Sequence, residues 1–186
     1  MRDAPGYLNL AFAALLALVM FSLPVAAAET RLDTLFSQLD AVAPAEARRI
    51  AAEIEMEWAR SGSPAMDLLL RRGEDALEAG DAAAAVEHLS AAIDHAPGFI
   101  AAWHLRSVAF FGQERYGLAL ADLAQVIALE PRHFNALFGM GRIFEETGRL
   151  ALAQEAFMRA QAIHPHLGTV SEALERVSRE MGGTEL

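Results

Sequence analysis

The sequence predicts an all-α chain: a solenoid of three helix pairs, with a helical hairpin before it and a capping helix after it. Three observations carry this expectation. Pro97, Pro131 and Pro165 stand 34 residues apart. Around them small and large apolar residues recur in the same order, and the flanking segments place apolar residues at helical intervals. Proline lacks a backbone donor and disfavours helix in the residue before it, so each of the three closes a helix.

The first segment, residues 1–28, has Arg2, an apolar run from Leu10 to Leu23, Pro24 and Ala26-Ala27-Ala28. A basic start, a short apolar centre and small residues at the end describe a secretory signal peptide cut after Ala28. The run falls short of the ~20 residues a membrane-spanning helix needs. Asp3 weakens the basic start, and an uncleaved inner-membrane anchor is the alternative. After cleavage the sequence predicts no stable membrane insertion.

Residues 29–65 form the predicted hairpin. Leu32, Leu35, Phe36 and Leu39 share one helical face, Pro44 opens a second helix, and Ile50, Ile54 and Trp58 follow at intervals of four. Ser61-Gly62-Ser63-Pro64 ends it. The hairpin reads as a degenerate repeat capping the amino-terminal end, with Leu39 departing from the pattern. The alternative is a pairing surface around Trp58 that joins two copies of the chain.

Residues 66–165 carry the repeat, in units 66–99, 100–133 and 134–167. Small residues recur at Gly73, Ser107 and Gly141 in the first helices and at Ala85, Ala119 and Ala153 in the second. They let paired helices approach closely. Leu89, Leu123 and Phe157, then Ala92, Val126 and Ala160, hold further equivalent phases. Gly80 and Gly148 suit the turn inside units one and three, where a positive φ is cheap only for glycine. Unit two has Glu114 there, so its turn is expected to differ and to use Gly112.

These residues resemble the tetratricopeptide repeat (TPR) family over about 100 of the 186 residues. The resemblance implies stacked antiparallel helix pairs, with the first helix of each pair lining a concave face. Arg72 and Arg106 depart from it by replacing the leucine usual before the small residue. Their stems would cover apolar surface while their heads reach solvent.

Residues 168–181 form the predicted cap, with Val170, Leu174 and Val177 turned toward the third unit; 182–186 is a flexible tail. The net charge is −10, and all 15 basic residues are arginine. That balance argues against nucleic acid, whose phosphates require cationic contacts. No cysteine occurs, which excludes a lipid-anchored lipoprotein and any disulfide. An exported chain without disulfides or N-x-[ST] sequons points to a bacterial periplasm.

Chemistry has little to stand on. His88 and His95 lie seven apart, and His133, His164 and His166 sit in turns. None of them has recognised ligand spacing, so no metal and no cofactor is expected. There is no G-x-S-x-G, no phosphate-cradling glycine loop, and Glu145-Glu146 point about 100° apart on a helix. The sequence therefore predicts no enzyme.

Projected onto the first helices, the inward residues are Asp67, Leu70, Glu74 and Leu77 in unit one. Unit two adds His104, Val108 and Phe111, and unit three Asn135, Phe138, Arg142 and Glu145. An apolar strip of Leu70, Val108, Phe111 and Phe138 marks a binding groove unless a flanking segment fills it. Some TPR proteins clamp a carboxy-terminal carboxylate with lysine, asparagine and arginine. The matching places here hold Leu70, Glu74, Leu105, Asn135 and Gly139, so only Asn135 suits that role. By resemblance to periplasmic TPR proteins, the expected function is a non-catalytic protein-interaction module of the cell envelope, with a protein or peptide partner. Alternatives are a self-assembling homo-oligomer, or an accessory subunit or chaperone for maturation of exported proteins.

Overall fold

The structure, a computed structural model, describes residues 30–183. The predicted signal peptide and residues 184–186 lie outside the described residues. Contacts divide the chain after Thr30, and a compact body begins at Arg31. The helices of that body are α1 (Arg31–Ala41), α2 (Pro44–Trp58), α3 (Pro64–Glu78), α4 (Ala82–His95), α5 (Ile100–Gly112), α6 (Tyr116–Leu129), α7 (Phe134–Glu146), α8 (Leu150–Ile163) and α9 (Gly168–Gly183). No strand occurs among the described residues.

Helices α3 to α8 form the three pairs. The second helices start at Ala82, Tyr116 and Leu150, which keeps the 34-residue step. The first repeat unit opens two residues earlier than the spacing implies. Pro64 occupies its first turn, where a missing donor costs nothing. Before each repeat proline the chain is extended: Ala96 at φ −138°, Glu130 at −139° and His164 at −129°. This is the steric effect of proline on its predecessor.

The turns inside the pairs are alike, which corrects the expectation for unit two. Gly80 (φ 75°), Glu114 (φ 58°) and Gly148 (φ 71°) all take the left-handed conformation. The residue after each donates back to the helix: Asp81 to Ala76 at 2.8 Å, Arg115 to Phe110 at 2.9 Å and Arg149 to Phe144 at 2.7 Å. Gly112 is simply the last residue of α5. Repeat geometry overrides the local preference of glutamate.

Small residues set the helix spacing. A Cβ at Gly73 would stand 2.6 Å from the Leu89 side chain, and one at Gly141 would enter the Phe157 ring. Ala85, Ala119 and Ala153 are fully buried. The head of Arg106 is held by neighbouring side chains instead of standing free in solvent. Its Nε and Nη2 donate to Asp122 at 2.8 and 2.9 Å, and Nη1 donates to Ser90 at 2.9 Å. One guanidinium thus ties α4, α5 and α6, whereas Arg72 is exposed as expected.

The hairpin α1–α2 is present but sits elsewhere than expected. Leu35, Leu39, Ala47, Ile50, Ala51, Ile54 and Trp58 form one cluster with Phe134, and Ile100, Ile163 and Leu167 border it. The hairpin therefore lies across the edge where α5 and α7 begin and α8 ends. Leu39, fully buried there, fills the space between the hairpin's own helices. Trp58 is 4% exposed, so it offers no surface for pairing two copies. At the other end Val170, Ala173 and Val177 of α9 cover Leu137, Ala153 and Phe157.

Candidate functional site: the concave groove

The first helices α3, α5 and α7 lie side by side, and the 34-residue step turns equivalent residues into rows across them. Leu70, His104 and Phe138 form one row, Glu74, Val108 and Arg142 the next, and Leu77, Phe111 and Glu145 a third. Between α5 and α7 the rows open into a hollow of about 350 Å³. His104, Val108, Phe111, Asn135, Phe138 and Arg142, all expected inward, line it together. Val108, in the middle row, is 43% exposed.

The floor of this hollow was missed in the sequence. Leu123 reaches up from α6, with Ser107 and Ile143 beside it. It has room because Gly139 carries no side chain; a Cβ there would lie 3.3 Å from Leu123 Cδ1. The signal was the small residue opposite a large one, a pattern that also serves plain helix packing.

Three expected inward residues lie elsewhere. Leu70 is 4% exposed and joins Leu89, Ile93 and Ala102 in the core, with Ala101 and Leu105 packed against it. Leu77 packs against the same cluster. Asp67 turns back to the linker, where it accepts from Ser61 N at 3.2 Å and Ser61 Oγ at 2.5 Å. Those bonds hold its carboxyl below the usual range.

The hairpin shapes one end of the groove without filling it. A second hollow of about 220 Å³ lies between α2 and the solenoid, lined by Glu55, Trp58, Glu74, Leu105, His133 and Asn135 among others. His104 and Asn135 belong to both hollows. Asn135 donates to Glu55 at 2.6 Å, and Trp58 stacks on His133 with ring centres 3.8 Å apart. Trp58 Nε1 is buried without a partner among the described residues. Arg132, beside this seam, donates to Asp33 at 2.8 Å and lies over the Phe36 ring.

His133 caps α7. Its Nδ1 accepts from Ala136 N at 3.1 Å, so that nitrogen carries no proton. Burial, then the neighbouring His104, hold its imidazole far below the ordinary histidine range. Burial pushes His104 down to about 4. Glu74 shifts the other way: burial, then Asp75 and Glu78, push its carboxyl up, and Arg71 offsets this in part.

At the third-unit end Glu145 is held by Arg176 of α9 through bonds of 2.5 and 2.9 Å. Arg142 lies 3.9 Å from Glu145 and 3.6 Å from Glu146. A carboxylate clamp is absent from the expected positions, because Leu70 is core, Glu74 is acidic and Asn135 is spent on Glu55. Among the described residues no three histidine, aspartate or glutamate side chains gather where a metal ion would fit. No helix among them is long and apolar enough to cross a membrane.

Comparison with known proteins agrees with this architecture. A tetratricopeptide repeat family model matches residues 70–116 and 104–167. A TPR repeat-containing protein of Rhizobium etli is 35% identical over 154 residues, spanning 82% of this chain and 76% of that protein. Rat DnaJ homolog subfamily C member 3 is 30% identical over 125 residues, 67% of this chain but 25% of its own length. Among solved structures, the first TPR of Spaghetti (RPAP3) bound to the HSP90 peptide SRMEEVD superposes with a TM-score of 0.62 at 18% identity. It covers 64% of this chain and 95% of that one. The Yersinia enterocolitica type III secretion chaperone SycD, in complex with a peptide of the translocator YopD, gives 0.60 at 17% identity, covering 64% and 96%. The chain belongs to the tetratricopeptide repeat family.

Proposed function

We propose that this chain is a non-catalytic protein-interaction module of the bacterial cell envelope that holds a peptide or helical segment of another protein in its concave groove. The observation that carries the reading is the open apolar hollow between α5 and α7, with Val108 exposed at its centre. Apolar surface left uncovered in a concavity gains by taking up an apolar segment. The TPR structures described with HSP90 and YopD peptides support a peptide partner. The basic start, apolar run and A-x-A ending of residues 1–28 support export to the periplasm.

A photo-crosslinking residue at position 108, compared with one at position 180 on the exposed outer side of α9, tests the groove in envelope extract. Position 108 captures a defined set of proteins that position 180 does not, and Val108→Asn with Phe111→Asn in the wild-type background reduces co-purification of that set. Equal capture at the two positions, in protein whose helical circular dichroism is intact, overturns the assignment.

A further inference from the structure

From the charge distribution along the groove we infer that its occupant is a basic–apolar segment, with a lysine or arginine meeting Glu74 and a bulky apolar side chain seated against Val108, Phe111 and Phe138. The inference rests on the groove reading above and names its ligand chemistry. Glu74, Val108 and Arg142 occupy one row, so the groove runs from an acid through an apolar centre to a base.

The two charged ends are not equivalent. Arg142 already faces Glu145 and Glu146 and lies over the Phe111 ring at 5.7 Å. Arg71 offsets the charge of Glu74 only in part, and Glu74 has no hydrogen bond or ion pair among the described residues. It shares its hollow with Glu55, whose carboxylate accepts only from a neutral amide. The two histidines there, His104 and His133, are neutral at pH 7 and supply no positive charge. The uncompensated charge of the groove is therefore negative, in a chain whose net charge is −10. A cation at Glu74 removes repulsion from Asp75 and Glu78 as well as gaining its own attraction. Adjacent helices lie roughly 10 Å apart, about three residues of extended chain, which sets the spacing between base and apolar anchor.

The probes are fluorescein-labelled nine-residue peptides with a central phenylalanine and one charged residue, lysine or glutamate, three positions before or after it. Anisotropy titration of the purified protein at low salt is expected to give at least tenfold tighter binding of a lysine peptide in one of the two directions. The gap narrows as salt rises toward about 0.15 M. Glu74→Gln removes most of the difference, and Glu74→Lys reverses it. Equal affinities for lysine and glutamate peptides, or no binding of either lysine peptide, overturn the proposal. Val108→Asn separates the two levels: weakening of every bound peptide keeps the groove reading whichever charge wins, and no weakening of any overturns that reading itself.

Discussion

At the residue scale the repeat is held by a few positions where one methyl group decides the outcome. Gly141→Ala would ordinarily stabilise a helix by ~1 kcal/mol. Here the added Cβ enters the Phe157 ring, and overpacking of roughly 1–3 kcal/mol exceeds that gain. A net fall in melting temperature is expected. Ala119→Leu, at a fully buried contact, should cost at least as much. The opposite sign belongs to Glu114, a non-glycine residue at φ 58°. Glu114→Gly relieves the left-handed strain, and a gain of about 0.5–1 kcal/mol should appear in urea unfolding. Asp122→Ala removes the partner of Arg106 and leaves a largely buried guanidinium. A loss of roughly 3 kcal/mol or more is expected from the uncompensated charge.

At the scale of elements, the seam between α2 and α7 depends on neutral imidazole. His133 and His164 are each 2% exposed, and both have folded-state pKa values lowered by burial. The unfolded chain takes up protons below its ordinary histidine pKa of about 6.5, while the native state refuses them. Their contribution is fully present above that value and is lost as pH falls, by about 2 kcal/mol for His133 between pH 7 and pH 5. His133→Asn keeps a cap for α7 without a titrating ring. Its melting temperature should fall less steeply over the same pH range than that of the wild type; an equal slope would remove His133 from the account.

Across the whole molecule, what the sequence revealed divides along one physical line. Ala85, Ala119 and Ala153, the three prolines and the Glu74–Val108–Arg142 row were legible because each environment recurs after a fixed interval. Leu70 was misplaced because the first unit has no equivalent before it. It is buried in a cluster with Leu89, Ile93 and Ala102, against which Ala101 and Leu105 of the following unit pack. The seat of the hairpin was illegible for a different reason. Trp58, Phe36 and Asp33 meet His133, Arg132 and Phe134 across long stretches of chain that follow no period, and Leu123 as the groove floor depends on the empty place at Gly139.

The hairpin's position has a consequence for how the chain comes together. In an ordinary solenoid each unit leans only on its neighbours, and shortened arrays still stand. Here the hairpin's cluster takes in Phe134 and is bordered by Ile163 and Leu167, so the earliest helices stay without their full seat until the third unit exists. A polypeptide delivered amino end first therefore completes its assembly only after nearly all of it has arrived. Variants cut back before residue 134 should leave Trp58 in water, with red-shifted fluorescence as the visible sign.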